Sequence, residues 1–225
     1  MVTGAGNFEK AAQLAKAVPF NSQNQEHEVR RVPVLFLVLL FSTTAYGYTP
    51  KAGDIVFHTS LSNQSMAVQA ATKSRYSHMG IVLFRDGRPF VFEAVQPVKY
   101  TPLQQWLDRG KDKRYLIKRL KADLPEASVQ NLYWESKRYE GKPYDLTFEW
   151  SGQRIYCSEL VWKLYKSAAG IELAPLSKLG SFDLGHPAVK AKLRERYGNK
   201  VPMNEPVISP VAILNSPLLV TVGER

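Results

Sequence analysis

Two apolar runs joined by Asp86-Gly87 constrain this chain more than any other stretch. Met79 to Phe84 is apolar throughout and has no polar face to turn to water. That pattern predicts a strand covered on both sides and central in its sheet. Asp-Gly tolerates the left-handed backbone of a two-residue hairpin turn, and Arg88 to Val95 reads as the return strand. With Asp86 and Gly87 at the turn, Val82 lies opposite Val91, Gly80 opposite Glu93 and His78 opposite Val95. His78 and Glu93 then share a face as diagonal neighbours, about 7–8 Å apart. A three-residue loop would turn Glu93 to the opposite face.

A carboxylate inside Phe90-Val91-Phe92-Glu93-Ala94-Val95 is costly unless paired. Two readings stay open on hairpin geometry. Glu93 is either an exposed-edge residue or structural partner of His78, or it holds one ring nitrogen while the other faces a nucleophile.

The sole cysteine, Cys157, opens an amphipathic segment. Leu160, Val161, Leu164 and Ala168 follow it at helical spacing, so the thiol lies on the buried stripe. Ser158, Glu159, Lys163 and Lys166 cover the other side, and Gly170 is placed to end the helix. A thiol at a helix N-terminus is biased towards thiolate. A small buried core residue is the competing reading.

The remaining elements come in sequence order. Pro50 to Asp54 is a turn into a short strand, Ile55 to Phe57, and Ser65 to Thr72 is a short helix. Leu103 to Asp108 reads as a helical turn and Tyr115 to Leu120 as a strand. Leu124 to Tyr139 is a helix, with Pro125 in its first turn. Gly141 to Asp145 is a loop, Pro187 to Tyr197 a basic helix, and a Pro-rich tail runs to Arg225. Clustered strands with helices before and after predict an α+β domain with a small, mostly antiparallel sheet.

The front of the chain sets the expected compartment. Arg30-Arg31 precede the apolar run Val32 to Phe41, and Ser42 to Gly47 supplies small residues. This is the pattern of a signal peptide over residues 30–47, cut after Ala45 or Gly47, and it is short for a membrane span. Residues 1–29 form an extension or an over-long start, and residues 48–225 the expected catalytic domain. Removing 1–47 takes the formal charge from +10 to +9. An exported, basic chain with one cysteine makes no internal disulfide and suits anionic envelope polymers or lipid, not nucleic acid. No transmembrane span is expected after signal removal.

The residues match a known family when read in permuted order. Gly53-Asp54-Ile55-Val56-Phe57, His78-Met79-Gly80-Ile81-Val82 and Phe92-Glu93-Ala94 come first. Gly141-Lys142-Pro143-Tyr144 and Tyr156-Cys157-Ser158-Glu159-Leu160-Val161 follow. Together they resemble the NlpC-type cell-wall peptidases of the papain-like superfamily, in the circularly permuted order of the YiiX-type branch. The resemblance implies a sheet packed against the nucleophile helix. It makes Cys157 the nucleophile, His78 the general base, Glu93 its orienting residue, and Tyr144 and Tyr156 substrate-binding or oxyanion groups. Wall peptides or small amino-acid amides and conjugates are the implied substrates. The permuted branch also resembles lecithin–retinol acyltransferase-like proteins, which keeps a lipid-directed enzyme as an alternative; a non-catalytic binding module on the same fold is a third. Trp106, Trp134, Trp150 and Trp162 would suit lipid or fill a core. Glu159 stands where the peptidases usually carry Gly, which bears on their substrate pocket. No cofactor is implied. Neither His27, His58 nor His186 makes a metal-ligand spacing with Cys157.

Overall fold

A computed structural model describes residues 48–225; the expected extension, signal peptide and cleavage site lie outside the described residues. In chain order the elements are β1 (Ile55–His58), α1 (Ser65–Thr72), β2 (His78–Arg85), β3 (Arg88–Glu93), β4 (Lys99–Pro102), α2 (Leu103–Arg109) and β5 (Tyr115–Leu120). There follow α3 (Glu126–Tyr139), α4 (Cys157–Ala169), β6 (Ser177–Lys178), α5 (Pro187–Tyr197), β7 (Pro206–Val207), α6 (Pro210–Leu214) and β8 (Leu219–Glu224). The architecture is α+β. Six strands form one antiparallel sheet in the order β4-β3-β2-β1-β5-β8. Among the described residues no helix is long and apolar enough to cross a membrane.

The apolar run of β2 is buried from His78 to Leu83, because both faces of the sheet are covered. On one face Ile55, Phe57, Ile81 and Leu83 pack with Leu132 of α3 and Leu160 and Leu164 of α4. On the other, Val56, Val82, Val91 and Ile117 pack with Trp106 and Leu107 of α2. Trp162 is also buried, Trp150 is half-buried against it, and Trp134 is exposed.

The hairpin adopts the register implied by its turn, with Val82 opposite Val91 and Ile81 opposite Phe92. Asp86 (φ 50°) and Gly87 (φ 71°) both take left-handed backbone, as a two-residue turn matching the strand twist requires. Gly53 is also left-handed (φ 92°), and a Cβ there would lie 2.8 Å from Leu124 Cδ1. The neighbouring Asp54 is buried and accepts from Arg119 Nε at 2.6 Å, from the Lys51 N–H at 2.7 Å and from the Tyr48 hydroxyl at 2.5 Å. That bonding explains a carboxylate at the head of an apolar strand.

Several boundaries differ from expectation. The return strand ends at Glu93, not Val95, and the chain turns back as β4 to pair with β3. Pro125 precedes α3 with extended backbone (ψ 147°) and is its cap, not part of its first turn. The tail is structured: β8 completes the sheet edge beside β5, and His186 caps α5 through Nδ1, which accepts from the Ala188 N–H at 3.2 Å.

Gly80 is the tightest point of the hairpin. A Cβ there would lie 2.4 Å from Val91 Cγ1 and 2.9 Å from the Phe92 carbonyl oxygen. Gly80→Ala is expected to cost about 1–3 kcal/mol through overpacking, read as a lower urea midpoint at unchanged denaturant slope.

Candidate active site

The site forms at one end of the sheet, where β2 begins, β3 ends and α4 starts. His78 and Glu93 meet as the register requires: His78 Nε2 lies 2.6 Å from Glu93 Oε2, with Glu93 fully buried. The small Gly80 between them leaves the space, since a Cβ there would sit 3.3 Å from Glu93 Cβ.

Three further donors converge on this carboxylate. Thr101 Oγ1 donates to Oε1 at 2.6 Å, while Trp106 Nε1 and Arg109 Nη2 donate to Oε2 at 2.8 and 2.5 Å. Burial alone would raise the Glu93 pKa, but His78 and Arg109 hold it well below the usual carboxylate range. Sequence reasoning missed Thr101 and Arg109 and weighed Trp106 only as core or lipid contact. The available signal was Trp106 and Arg109 three residues apart on one helix face.

Burial pulls the His78 pKa down, yet hydrogen bonds with Cys157 and Glu93 push it up to about 9. His58 lies opposite His78 across β1 and β2 and stacks on Trp106 at 4.1 Å. Its ring nitrogens are buried without partners, and burial, then the charges of His78 and Arg109, keep it neutral.

Cys157 is 4% exposed, at the first turn of α4. Gly170 ends the helix in left-handed backbone, φ 70°. The polar side of this helix departs from expectation at its start: Ser158 and Glu159 are buried, not solvated. Ser158 Oγ donates to the Ile208 carbonyl at 2.7 Å, and the Tyr156 hydroxyl accepts from the Ile208 N–H at 3.1 Å. These two bonds clamp the tail across the helix start and commit Tyr156 to the clamp. Glu159 accepts from Lys163 Nζ at 2.6 Å and from the Tyr156 N–H at 3.4 Å. Burial nevertheless pushes its carboxyl up to about 7, against those two donors. Glu159 braces the helix and does not line the cavity beside Cys157, so the Gly position of the peptidases is filled here without blocking the cleft.

Tyr144 lines the same cavity as the thiol because its loop pairs with the segment before α4. The Asp145 N–H donates to the Ile155 carbonyl, and the Ile155 N–H to the Pro143 carbonyl, at 3.1 and 3.2 Å. The Tyr144 hydroxyl accepts from Gln64 Nε2 at 3.4 Å. Burial, then the charge of Cys157, raises its pKa, so it keeps a proton that it is free to donate. Arg196 Nη2 donates to Gln64 Oε1 at 2.9 Å and fixes the amide's orientation. Gln64 and Arg196 carry no sequence signal linking them to Cys157.

Residues 49–223 match a family described as permuted papain-like amidase enzymes, YaeF/YiiX, C92 family. This chain belongs to that family. It is 48% identical over 192 residues to the uncharacterized protein YiiX of Escherichia coli (strain K12), covering 85% of this chain and 95% of that one. It also superposes on the crystal structure of metalloprotein YiiX from Escherichia coli O157:H7. There the TM-score is 0.77 at 48% identity, covering 79% of this chain and 99% of that one. Membership makes this a hydrolase of the papain-like cysteine peptidase and amidase class, on the permuted fold that the motif order implied.

The His78–Glu93 pair has a defined pH window. Glu93, lowered from 4.5, contributes fully above that value and loses its contribution as pH falls through its folded pKa. His78, raised from 6.5 to about 9, contributes fully below 6.5 and loses its contribution as pH rises through about 9. Glu93→Gln leaves Arg109 and the imidazolium without their counter-charge, and is expected to cost about 3–5 kcal/mol. Urea denaturation across pH should show that cost largest between about 4.5 and 6.5 and shrinking towards pH 9.

Proposed function

We propose that this protein hydrolyses amide bonds through Cys157, His78 and Glu93, by way of an acyl-enzyme. The observation that carries this reading is the 2.6 Å pairing of His78 with the buried carboxylate of Glu93, with Cys157 close enough to help raise the imidazole pKa to about 9. The Cys157 thiolate attacks the amide carbonyl carbon, forming the C–S bond and a tetrahedral oxyanion. The Tyr144 hydroxyl and the Cys157 backbone N–H, free of intrahelical partners in the first turn of α4, donate to that oxyanion. Tyr156 contributes part of the wall beside them. The His78 imidazolium gives its proton to the leaving nitrogen as the C–N bond breaks. Water, deprotonated by the now neutral His78, cleaves the thioester, releases the acid and returns the proton to the imidazole.

The substrates this reading takes are wall-derived peptides or small amino-acid conjugates. It places the enzyme outside the cytoplasm, in the periplasm or cell envelope. Arg30-Arg31, the apolar run to Phe41, the small residues after it and the basic mature chain support that location. The YiiX crystal structure is described as a metalloprotein. Among the described residues no three His, Cys, Asp or Glu side chains are grouped to hold a metal ion, and His78 and Glu93 are spent on each other. The donor set does not fit a metal, and no step is routed through one.

Cys157→Ala is expected to lower kcat about 10³-fold or more in an amide-cleavage assay on peptidoglycan fragments and amino-acid conjugates; undiminished turnover refutes the assignment. In the wild type kcat/KM should fall as pH rises through about 9, where the imidazolium is lost. Tyr144→Phe removes the side-chain donor to the oxyanion and should lower kcat about 10²–10³-fold.

A further inference from the structure

The chain between α2 and β5 reads Gly110-Lys111-Asp112-Lys113-Arg114, and residues 111–114 are all exposed. Among the described residues, Lys111, Lys113 and Arg114 pair with no carboxylate. The Lys111 N–H donates to the Thr59 carbonyl at 3.0 Å, and Thr59 Oγ1 donates to the Arg75 carbonyl at 2.7 Å. Those two bonds set the basic turn beside the loop of residues 59–64 and beside the exposed Arg75. Two large apolar side chains stand in water on this loop and the first turn of α1: Leu61, 72% exposed, and Met66, 64% exposed. We propose that this patch docks the protein on an anionic lipid bilayer, with the cations at the phosphate layer and Leu61 and Met66 inserted among the acyl chains.

Charge gives the first argument. Arg75, Lys111, Lys113 and Arg114 face only Asp108 and Asp112 as nearby carboxylates along their own segments, and the chain from residue 48 carries +9 in all. Each Lys or Arg brought to an anionic membrane surface strengthens binding about fivefold.

The apolar pair gives the second, and it selects the kind of partner. A hydrated polyanion, such as a wall polymer, would answer the cations and leave Leu61 and Met66 in water. The boundary between headgroups and acyl chains answers both, because it buries apolar side chains directly below a layer of phosphates.

The third argument is that the patch is held in shape. Ser77 Oγ accepts from the Ser60 N–H at 2.9 Å and bonds Ser65 Oγ at 2.6 Å, while the Ser62 carbonyl accepts from the Ser65 N–H at 3.0 Å. The basic turn is rooted at Gly110, where a Cβ would lie 2.8 Å from the buried His58 Nδ1. A loop already fixed in this way loses little conformational freedom on insertion. Ser77 precedes His78, and Arg109, just before the turn, holds Glu93. A docked molecule therefore has the loops that flank the catalytic pair against the bilayer.

The experiment does not depend on hydrolysis. It uses the full chain carrying Cys157→Ala, which also removes the native thiol, with Leu61→Cys labelled by the polarity-sensitive dye nitrobenzoxadiazole. Vesicles of phosphatidylcholine, with and without one-third phosphatidylglycerol, are titrated into it. The dye at position 61 should shift to the blue with the anionic vesicles and be quenched by lipids spin-labelled on the acyl chain. The same dye on Trp134→Cys should do neither, since α3 covers the opposite face of the sheet from α2. Replacing Lys111, Lys113 and Arg114 together by Glu should weaken the response at position 61 about 10²-fold or more, and Met66→Ser about tenfold. Added salt should weaken it as well. Binding through the apolar run Val32 to Phe41 alone would leave both dyes in water and overturns the proposal. An equal response to vesicles without phosphatidylglycerol, or one unchanged by the triple substitution, overturns it too. So does co-sedimentation with insoluble cell-wall material without any dye response to vesicles, which makes the partner a wall polymer.

Discussion

The buried carboxylate of Glu93 is the constraint on which the site end of the molecule depends. An ionised group with no solvent contact needs its hydrogen-bond partners from the protein. Here they come from three elements: β2 supplies His78, β4 supplies Thr101, and α2 supplies Trp106 and Arg109. Satisfying one side chain therefore fixes where β4 pairs and how α2 lies on the sheet. It also fixes the imidazole, because Nε2 is held by the carboxylate. Gly80 belongs to the same arrangement, since any side chain there would displace Val91 or the strand carbonyl beside Glu93.

A second set of contacts fixes the thiol. Ser158 and Tyr156 bind the two backbone groups of Ile208, drawing the C-terminal segment across the start of α4. The loop carrying Tyr144 is drawn in by its pairing with Ile155, two residues before Cys157. Cys157 thus has the imidazole on one side and the tyrosine hydroxyl with the apolar cavity on the other.

Local chemistry explains which parts of this arrangement are legible in the chain. With Asp86-Gly87 as a two-residue turn the hairpin has one register, because side chains alternate strictly along a strand; a three-residue loop would have given the other face. That register puts His78 and Glu93 on one face as diagonal neighbours. The span of α4 follows from the spacing after Cys157 and from Gly170. The burial of Ser158 and Glu159 on the polar face of the same helix is not legible, because periodicity records which residues are apolar and not which polar residues another segment will cover. The tail showed the same limit. Its Pro-rich composition hid β7, α6 and β8, whose strands exist only by pairing with residues far away in sequence.

The sequence by itself determined the strand and helix that carry the reacting groups, the face shared by His78 and Glu93, and the permuted motif order. These rest on contacts within about fifteen residues or on motifs that remain recognisable wherever they fall. Only the tertiary structure decided the remaining donors to Glu93, the link from Arg196 through Gln64 to Tyr144, and the apolar cavity beside the sulfur. Each needs side chains from separate elements to converge, and no local pattern encodes where two surfaces will meet. Cys157 shows the division best: its helix was legible as a pattern, while its partners and the space in front of it exist only in the folded chain.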